Sequence, residues 1–497
     1  MSDDAHVSPS APNIILVCVD QMRFDAMSCA AADAADTPYL DQLATRGNRF
    51  TRAYSATPTC VPARVALMTG QSPERHGRYG YREGIDVTRA HPVTLPGTLR
   101  DAGYQTHAVG KMHVHPERAR IGFDDVQLHD GFLHVGRRLS GGPHHDRDDY
   151  LPWLREQTGD PWADYQDTGA GCNAVAARPW EREERLHPTR WVADQSLRFL
   201  ARRDPTRPFF LYTSFHRPHA PLDPPGWLWE KYRSRPPRQR PVGPWIDRFA
   251  EHRRDGEVEA AFATRPEHVH RDARAGYLGS IEFIDLQINR LMEGLSDQGL
   301  LENTAILFTS DHGDMMGDHD LHHKAVAYEG SAHIPLLLWL PPALREQWGP
   351  TGNVEAICEL RDVMPTILDL AGVPIPESVD GHSLRPAVAE RAEVRDHLHG
   401  EHVISALGHH GMHWIRWGDR KYVWFSGDGH EQLFDLATDP CELTDLAGDP
   451  AATEDLAHGR ELLIEHLRDR EEGFVADGVL TAGRTVQSEA SWVREHA

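Results

Sequence analysis

Short, continuous apolar runs of strand length recur along this chain, and each ends abruptly in polar, titratable residues. The first, Asn13 to Val19 (NIILVCV), is rich in branched side chains and shows no alternation, as a strand buried on both faces should. Asp20 stands at its carboxyl end. Thr37-Pro38 followed by YLDQLATRG supplies an N-cap, a proline at the first helical position, a helix and a glycine stop. The strand pattern then returns: THAVG runs into GKMH, PFFLYTSF into HRPHAP, and TAILFTS into DHGD. Between the last two, Tyr277 to Leu295 carries apolar residues at helical spacing and reads as a helix covering the sheet. Strands alternating with helices predict an α/β fold, and open parallel sheets bind ligands at the carboxyl ends of their strands.

Two stretches break this rhythm. Residues 143–189 and 233–254 are rich in Asp, His, Trp, Arg and Gly with little periodicity, and read as long loops over a site. After Pro374 the texture changes to HLHGEHVIS, then HWIRWGDRKYVWF, a strand, a Gly-Asp turn and a second strand, and then the polar helix ELLIEHLRDREEG. The expected organisation is a catalytic domain over residues 1–374 and a smaller α+β domain over 375–497. There is no internal repeat.

Composition narrows the partners. A formal net charge of −23 repels a polyanion, and no basic run offsets it, so a nucleic-acid reader is excluded. The six cysteines (Cys18, Cys29, Cys60, Cys172, Cys358, Cys441) lack CxxC pairs, against both a disulfide framework and a cysteine zinc site. The N-terminal MSDDAHVSPSAPNIILVCVDQ has acids where a signal peptide needs basic residues, and nothing later approaches the roughly 20 apolar residues of a membrane span. The expectation is a cytoplasmic protein with no membrane partner. The segment GVLTAGRTVQSEASWVREHA is a candidate for packing across a second copy in a homo-oligomer.

Two pairs at strand ends, Asp20-Gln21 and Asp311-His312, offer oxygen and imidazole donors suited to Ca²⁺, Mg²⁺ or Mn²⁺. Either pair alone is weak, because an Asp at a strand end is more often a cap or turn former. TPTCVPARVALMTG sets Cys60, Pro62 and Arg64 ahead of a helix-like run. Cys60 reads as a reactive thiol, a buried filler, or a residue destined for modification. A helix beginning near Val61 would set its positive end beside Cys60, with Arg64 one turn along to hold the nucleophile or a ligand oxygen.

VDQ, C-x-P-x-R followed by TG, GKMH, F-H-R-P-H and TSDHGD occur here in that order over residues 12–340, and EQLFDLATDPCELTDLA follows. This set resembles the type I, formylglycine-dependent sulfatase family of the alkaline phosphatase superfamily. The resemblance implies a large mixed, mostly parallel sheet sandwiched by helices, with a smaller C-terminal α+β domain. It implies a sulfate monoester of a small organic alcohol, sugar or phenol as substrate. Cys60 would be oxidised to formylglycine by a separate formylglycine-generating enzyme. One hydroxyl of the hydrated aldehyde would attack sulfur, and the other would let sulfate be expelled as the aldehyde re-forms.

The resemblance also assigns residues. Asp20, Gln21, Asp311, His312 and the modified Cys60 would hold one divalent cation, with Ca²⁺ favoured over Mn²⁺ or Mg²⁺. Gln21 and His312 stand where many relatives have aspartate and asparagine, which lowers the ligand charge and moves some weight towards Mn²⁺. Lys111 would bind a sulfate oxygen and His113 would act as the base that releases sulfate. His219 and Lys324 would protonate the leaving alcohol, with His216 the neighbouring alternative and a candidate substrate contact. HLHGEH (His397 to His402) mimics a metal cluster, but alternate residues of a strand point to opposite faces, so it reads as a strand edge near the cleft, with Glu401 or His402 a further candidate substrate contact; GHHGMHW (Gly408 to Trp414) reads as a turn. The competing readings are a phosphonate monoester or phosphodiester hydrolase of the same superfamily, which looks different at the positions of Lys111 and His113, and an inactive binding protein that keeps the fold.

Overall fold

The computed structural model describes residues 11–131, 147–164, 171, 173–404 and 410–496. The strands of its two main sheets and of a short connecting ladder are, in chain order, β1 (Asn13–Asp20), β2 (Asn48–Phe50), β3 (Ala53–Tyr54), β4 (Gln105–Gly110), β5 (Asp125–Leu128), β6 (Phe209–Pro218), β7 (Thr304–Ser310), β8 (Leu336–Trp339), β9 (Gly352–Val354), β10 (Cys358–Glu359), β11 (His397–Ile404), β12 (His410–Trp417), β13 (Arg420–Phe425) and β14 (Glu431–Asp435). The larger sheet has the order β5-β4-β6-β1-β7-β8-β2-β9. Its ladders are parallel except the two that β8 makes with β7 and β2, so the sheet is mixed and mostly parallel, as expected.

The unbroken apolar run of β1 follows from its central place. Ile15, Val17 and Val19 face one core with residues of the helices Pro38–Arg46, Pro188–Arg202 and Glu267–Asp297. Ile14, Leu16 and Cys18 face a second core with the helices Cys60–Thr69, Leu95–Asp101 and Val363–Ala371. Successive side chains point to opposite faces, so a strand covered on both sides has no polar register. Each large apolar side chain so buried contributes about 1.5–3 kcal/mol.

The smaller sheet, β11-β12-β13-β14, is antiparallel throughout. Ile415, Tyr422 and Leu433 share a core with Leu456 and Leu463 of the helix Thr453–Leu467. On the opposite face Leu398, Trp414 and Val423 share a core with Tyr54 and Tyr328.

Several expectations change. The helix read over Tyr277–Leu295 spans Glu267–Asp297; its first turns carry His, Arg and Gly, which hide the apolar period. The 143–189 stretch contains the helix Tyr150–Thr158, and 233–254 contains the 3₁₀ turns Pro244–His252. The turn read over Gly408–Trp414 is strand β12 from His410 onward, and Gly408 and His409 lie outside the described residues. Within the segment that is a candidate for packing across a second copy, residues 488–493 pack on residues 77–80 of their own chain. Tyr79 and Gly80 donate to the Ser488 carbonyl at 2.7 and 2.9 Å, Ala490 donates to Gly77 at 2.9 Å, and Val493 is buried beside Gly77.

Gly110 closes β4 with φ of 97°, and a Cβ there would lie 1.9 Å from the Ser214 carbonyl oxygen of β6. Glycine is required by conformation and by space together. Gly110→Ala is expected to lower stability by at least about 2 kcal/mol, read as a fall in the urea midpoint without a change in slope.

Candidate active site

Four parallel strands deliver polar residues to one end of the sheet. Asp20 ends β1, Asp311-His312 follow β7, Lys111 follows β4 and His219 follows β6. Cys60 is the first residue of the helix Cys60–Thr69, entered from an extended Thr59 and stopped by Gly70 in the left-handed conformation. The helix start carries unpaired N–H groups and the positive dipole end beside Cys60.

Donor atoms of Asp20, Cys60, Asp311 and His312 lie within 4.8 Å of one another, and all four residues are buried. Cys60 Sγ is 3.2 Å from His312 Nε2 and 3.7 Å from Asp20 Oδ1. His312 Nδ1–H donates to the Gly313 carbonyl at 2.9 Å, which turns the Nε2 lone pair towards the cluster. Oxygen, nitrogen and sulfur donors without water of their own fit a divalent cation.

Cations surround these acids. Arg64 donates through Nε to Asp311 Oδ2 at 2.9 Å, and through Nη1 to the Lys111 carbonyl, Tyr212 hydroxyl and Ser214 hydroxyl at 2.8, 2.9 and 2.9 Å. Arg64 therefore holds a candidate ligand oxygen. Lys111 Nζ, fully buried, pairs with Asp20 Oδ2. Burial opposes ionisation of Asp20, but Lys111, His219, Lys324 and His312 together hold its carboxyl well below the usual range. Burial and the neighbouring Asp20 push Asp311 up. The Cys60 thiol, pushed up by burial and Asp20, is brought well below its ordinary value by Lys111, Lys324 and His312.

Gln21 sits at φ of 73° and donates its backbone N–H to Asp311 Oδ1 at 3.1 Å. Its side-chain amide spans Lys324 Nζ, 2.6 Å from Oε1, and Asp314 Oδ2, 2.5 Å from Nε2. Lys324 Nζ also donates to His219 Nε2 at 2.7 Å, whose Nδ1–H is held by the Ala220 carbonyl at 2.9 Å. Gln21 thus links the candidate metal cluster to the His219–Lys324 pair. Asp314 was missed in the sequence although it lies inside DHGD; it also accepts N–H bonds from Met316 and His323 at 2.8 and 2.9 Å. Gln21 and Asp314 also line a small pocket with Arg265, His270 and His323 among its walls.

On the other flank His113, at φ of 55°, donates its backbone N–H to Asp130 at 3.0 Å. Its Nε2 lies 3.3 Å from Glu83 and 3.5 Å from the Tyr81 hydroxyl, and among the described residues no hydrogen bond joins it to Cys60. His216 Nδ1 meets Arg217 at 2.5 Å, and the His216 ring lies 5.1 Å from that of His219. Glu401 is not placed for substrate contact: buried, it takes both ends of its carboxylate to Arg470 at 2.7 and 2.8 Å. The next residue faces the opposite side of β11, and His402 there, pushed down to about 3 by burial, also feels the charge of His312.

Residues 12–373 match the family model "Sulfatase". The chain belongs to the sulfatase family. Residues 317–469 of this sulfatase also match the model "N-sulphoglucosamine sulphohydrolase, C-terminal". It is 42% identical over 482 residues to an arylsulfatase of Clostridium perfringens, covering 96% of this chain and 98% of that one. It is 34% identical to a choline-sulfatase of Rhizobium meliloti over 87% of this chain and 82% of the relative. Among solved structures it resembles the phosphonate monoester hydrolase of Agrobacterium radiobacter, with a TM-score of 0.74 at 26% identity, covering 91% of this chain and 95% of that one.

Asp314 anchors Gln21, and partners of this kind typically contribute 10- to 100-fold to metal affinity. Asp314→Ala is expected to weaken binding of a divalent cation at the Asp20–Asp311–His312 cluster by about that factor in a calorimetric titration.

Proposed function

We propose that this sulfatase hydrolyses a sulfate monoester of a small organic alcohol, sugar or phenol to the free alcohol and inorganic sulfate, with an aldehyde made from Cys60 by a formylglycine-generating enzyme. The observation that carries the proposal is the buried group of Asp20, Cys60, Asp311 and His312 ringed by Lys111, Lys324 and Arg64. Such a concentration of donors and cations suits an anionic, tetrahedral ester. The identity with an arylsulfatase supports a phenol among the alcohols.

Asp20, Asp311 and His312 would hold a divalent cation, Ca²⁺ in first place, with Gln21 beside it. The cation would supply Lewis-acid stabilisation of charge on the ester oxygens. The hydrated aldehyde would supply one hydroxyl to attack sulfur and a second whose deprotonation lets sulfate leave. Lys111 neutralises charge at the sulfate. Arg64 fixes Asp311, and its further bonds to Tyr212 and Ser214 keep it from turning towards substrate. His219 and Lys324 share one proton across 2.7 Å and deliver it to the alcohol oxygen as the sulfur–oxygen bond breaks. His113, held at its backbone by Asp130, takes the proton of the second hydroxyl, with Glu83 and Tyr81 orienting its ring.

The likeness to a phosphonate monoester hydrolase favours a second activity at the same centre, since a sulfate monoester and a phosphonate monoester each carry one negative charge on a tetrahedron. Paired aryl sulfate and aryl phosphonate esters separate the two: the sulfate should give the higher kcat/KM, and a strong preference for the phosphonate would reverse the assignment.

The Cys60 peptide from protein made with the maturing enzyme should carry an aldehyde in mass spectrometry. Cys60→Ala should lower kcat on an aryl sulfate by at least about 1000-fold; unchanged activity would defeat the catalytic reading, including any role for the modified residue. Chelation should abolish the same activity, and Ca²⁺ should restore it.

A further inference from the structure

A second cluster of imidazoles and carboxylates lies apart from the strand ends. In the β11–β12 ladder Glu401 pairs with His413, and His397, His399 and Glu401 share one face of β11. The helix Thr453–Leu467 brings His466 to this face, and the short helix Pro73–His76, which follows the Cys60 helix, brings Glu74. Glu74 Oε1 lies 2.5 Å from His399 Nδ1 and 2.8 Å from His466 Nδ1. An ionised carboxylate only accepts, so both Nδ1 atoms carry the proton and both Nε2 atoms keep a lone pair. His466 spends its Nε2 on His397, 2.9 Å away. Among the described residues His399 Nε2 has no polar partner, and neither nitrogen of His413 has one.

His399, Glu401 and His413 are all at least nine-tenths buried, and one donor atom from each lies within 4.8 Å of the others. His413 Nδ1 stops 3.6 Å from Glu401, too far for a hydrogen bond. Leaving such lone pairs unsatisfied in the interior is unfavourable, and a shared cation would take one from each imidazole. Arg470 pairs with Glu401 and, at 2.8 Å, with Glu472. Burial pushes the Glu401 carboxyl up to about 7 against that guanidinium, so a cation bound there would displace a proton from it. Burial holds His399 down to about 4 and His413 well below its ordinary value, so both are in the neutral, ligating form near pH 7.

We infer that His399, Glu401 and His413 form a second cation site, for a borderline transition ion such as Zn²⁺. Two imidazoles and a carboxylate, with Glu74 orienting one imidazole through its far nitrogen, are a donor set that suits Zn²⁺ better than Ca²⁺. The ion would join β11 to β12, and the Glu74–His399 hydrogen bond would couple it to the segment that follows the Cys60 helix. This site does not depend on the proposed chemistry at Cys60.

Zinc bound per chain, measured by elemental mass spectrometry after chelator stripping, reloading with Zn²⁺ and desalting, tests it. The Asp311→Asn chain, with the strand-end cluster impaired, should retain one zinc, and adding His413→Gln should remove it. In the Asp311→Asn chain Co²⁺ should produce visible ligand-field bands that Zn²⁺ abolishes. Glu74→Gln, which keeps all three ligands, should weaken Zn²⁺ binding about 10- to 100-fold and decides the matter if His413→Gln does not fold. Absence of retained zinc in the Asp311→Asn chain, equal retention with and without His413→Gln, or unaltered affinity in Glu74→Gln would overturn the inference.

Discussion

Two carboxylates without solvent, Asp20 and Asp311, stand against the same imidazole, with oxygens 3.4 and 3.6 Å from His312 Nε2. Removing each from water is unfavourable by several kcal/mol, and their mutual repulsion grows in the same low dielectric. The rest of the site follows from that constraint. Every neighbouring element supplies compensation: Lys111 from the end of β4, Arg64 from the helix behind Cys60, Lys324 from the loop after β7, and backbone N–H groups of Gln21 and His312. None of these groups could be desolvated alone. Their burial is collective, and it is why this end of the sheet is polar yet nearly closed to water.

The sheet makes the convergence possible. β1 lies between two parallel neighbours, so its last residue and those following β7 emerge side by side, and β4 and β6 end on the same edge. Lys111 reaches Asp20 because the chain turns immediately after Gly110, where only glycine tolerates the approach of Ser214. The C-terminal sheet sends alternate residues of one strand to different tasks. Glu401 pairs with Arg470 on one side, while His402 on the other feels the charge of His312.

Strand ends were legible because a strand buried on both faces leaves an unmistakable apolar run, and the residue after it is polar for a reason. Asp20, Asp311 and His312 became candidates that way, whereas Lys111 and His219 were singled out by the ordered motifs that carry the sulfatase likeness. What escaped were pairings across long sequence separation. Gln21 and Asp314 lie 293 residues apart, and nothing local marks Asp314 as anything but a turn former. Glu401 was misread because its partner Arg470 lies 69 residues on, in a polar helix end that offers no period to read. The Glu74–His399–His466 cluster joins three elements whose sequences are individually ordinary.

The return of residues 488–496 onto residues 77–86 also has a meaning in time. Arg82 and Glu489 are partners 407 residues apart, and the loop they pin is the one that carries Tyr81 and Glu83 to His113. A ribosome emits that loop early and the segment that pins it late. Until the later stretch has emerged, the Tyr81–Glu83 flank of His113 lacks its Arg82–Glu489 fastening, so that side of the cluster is the last to be locked.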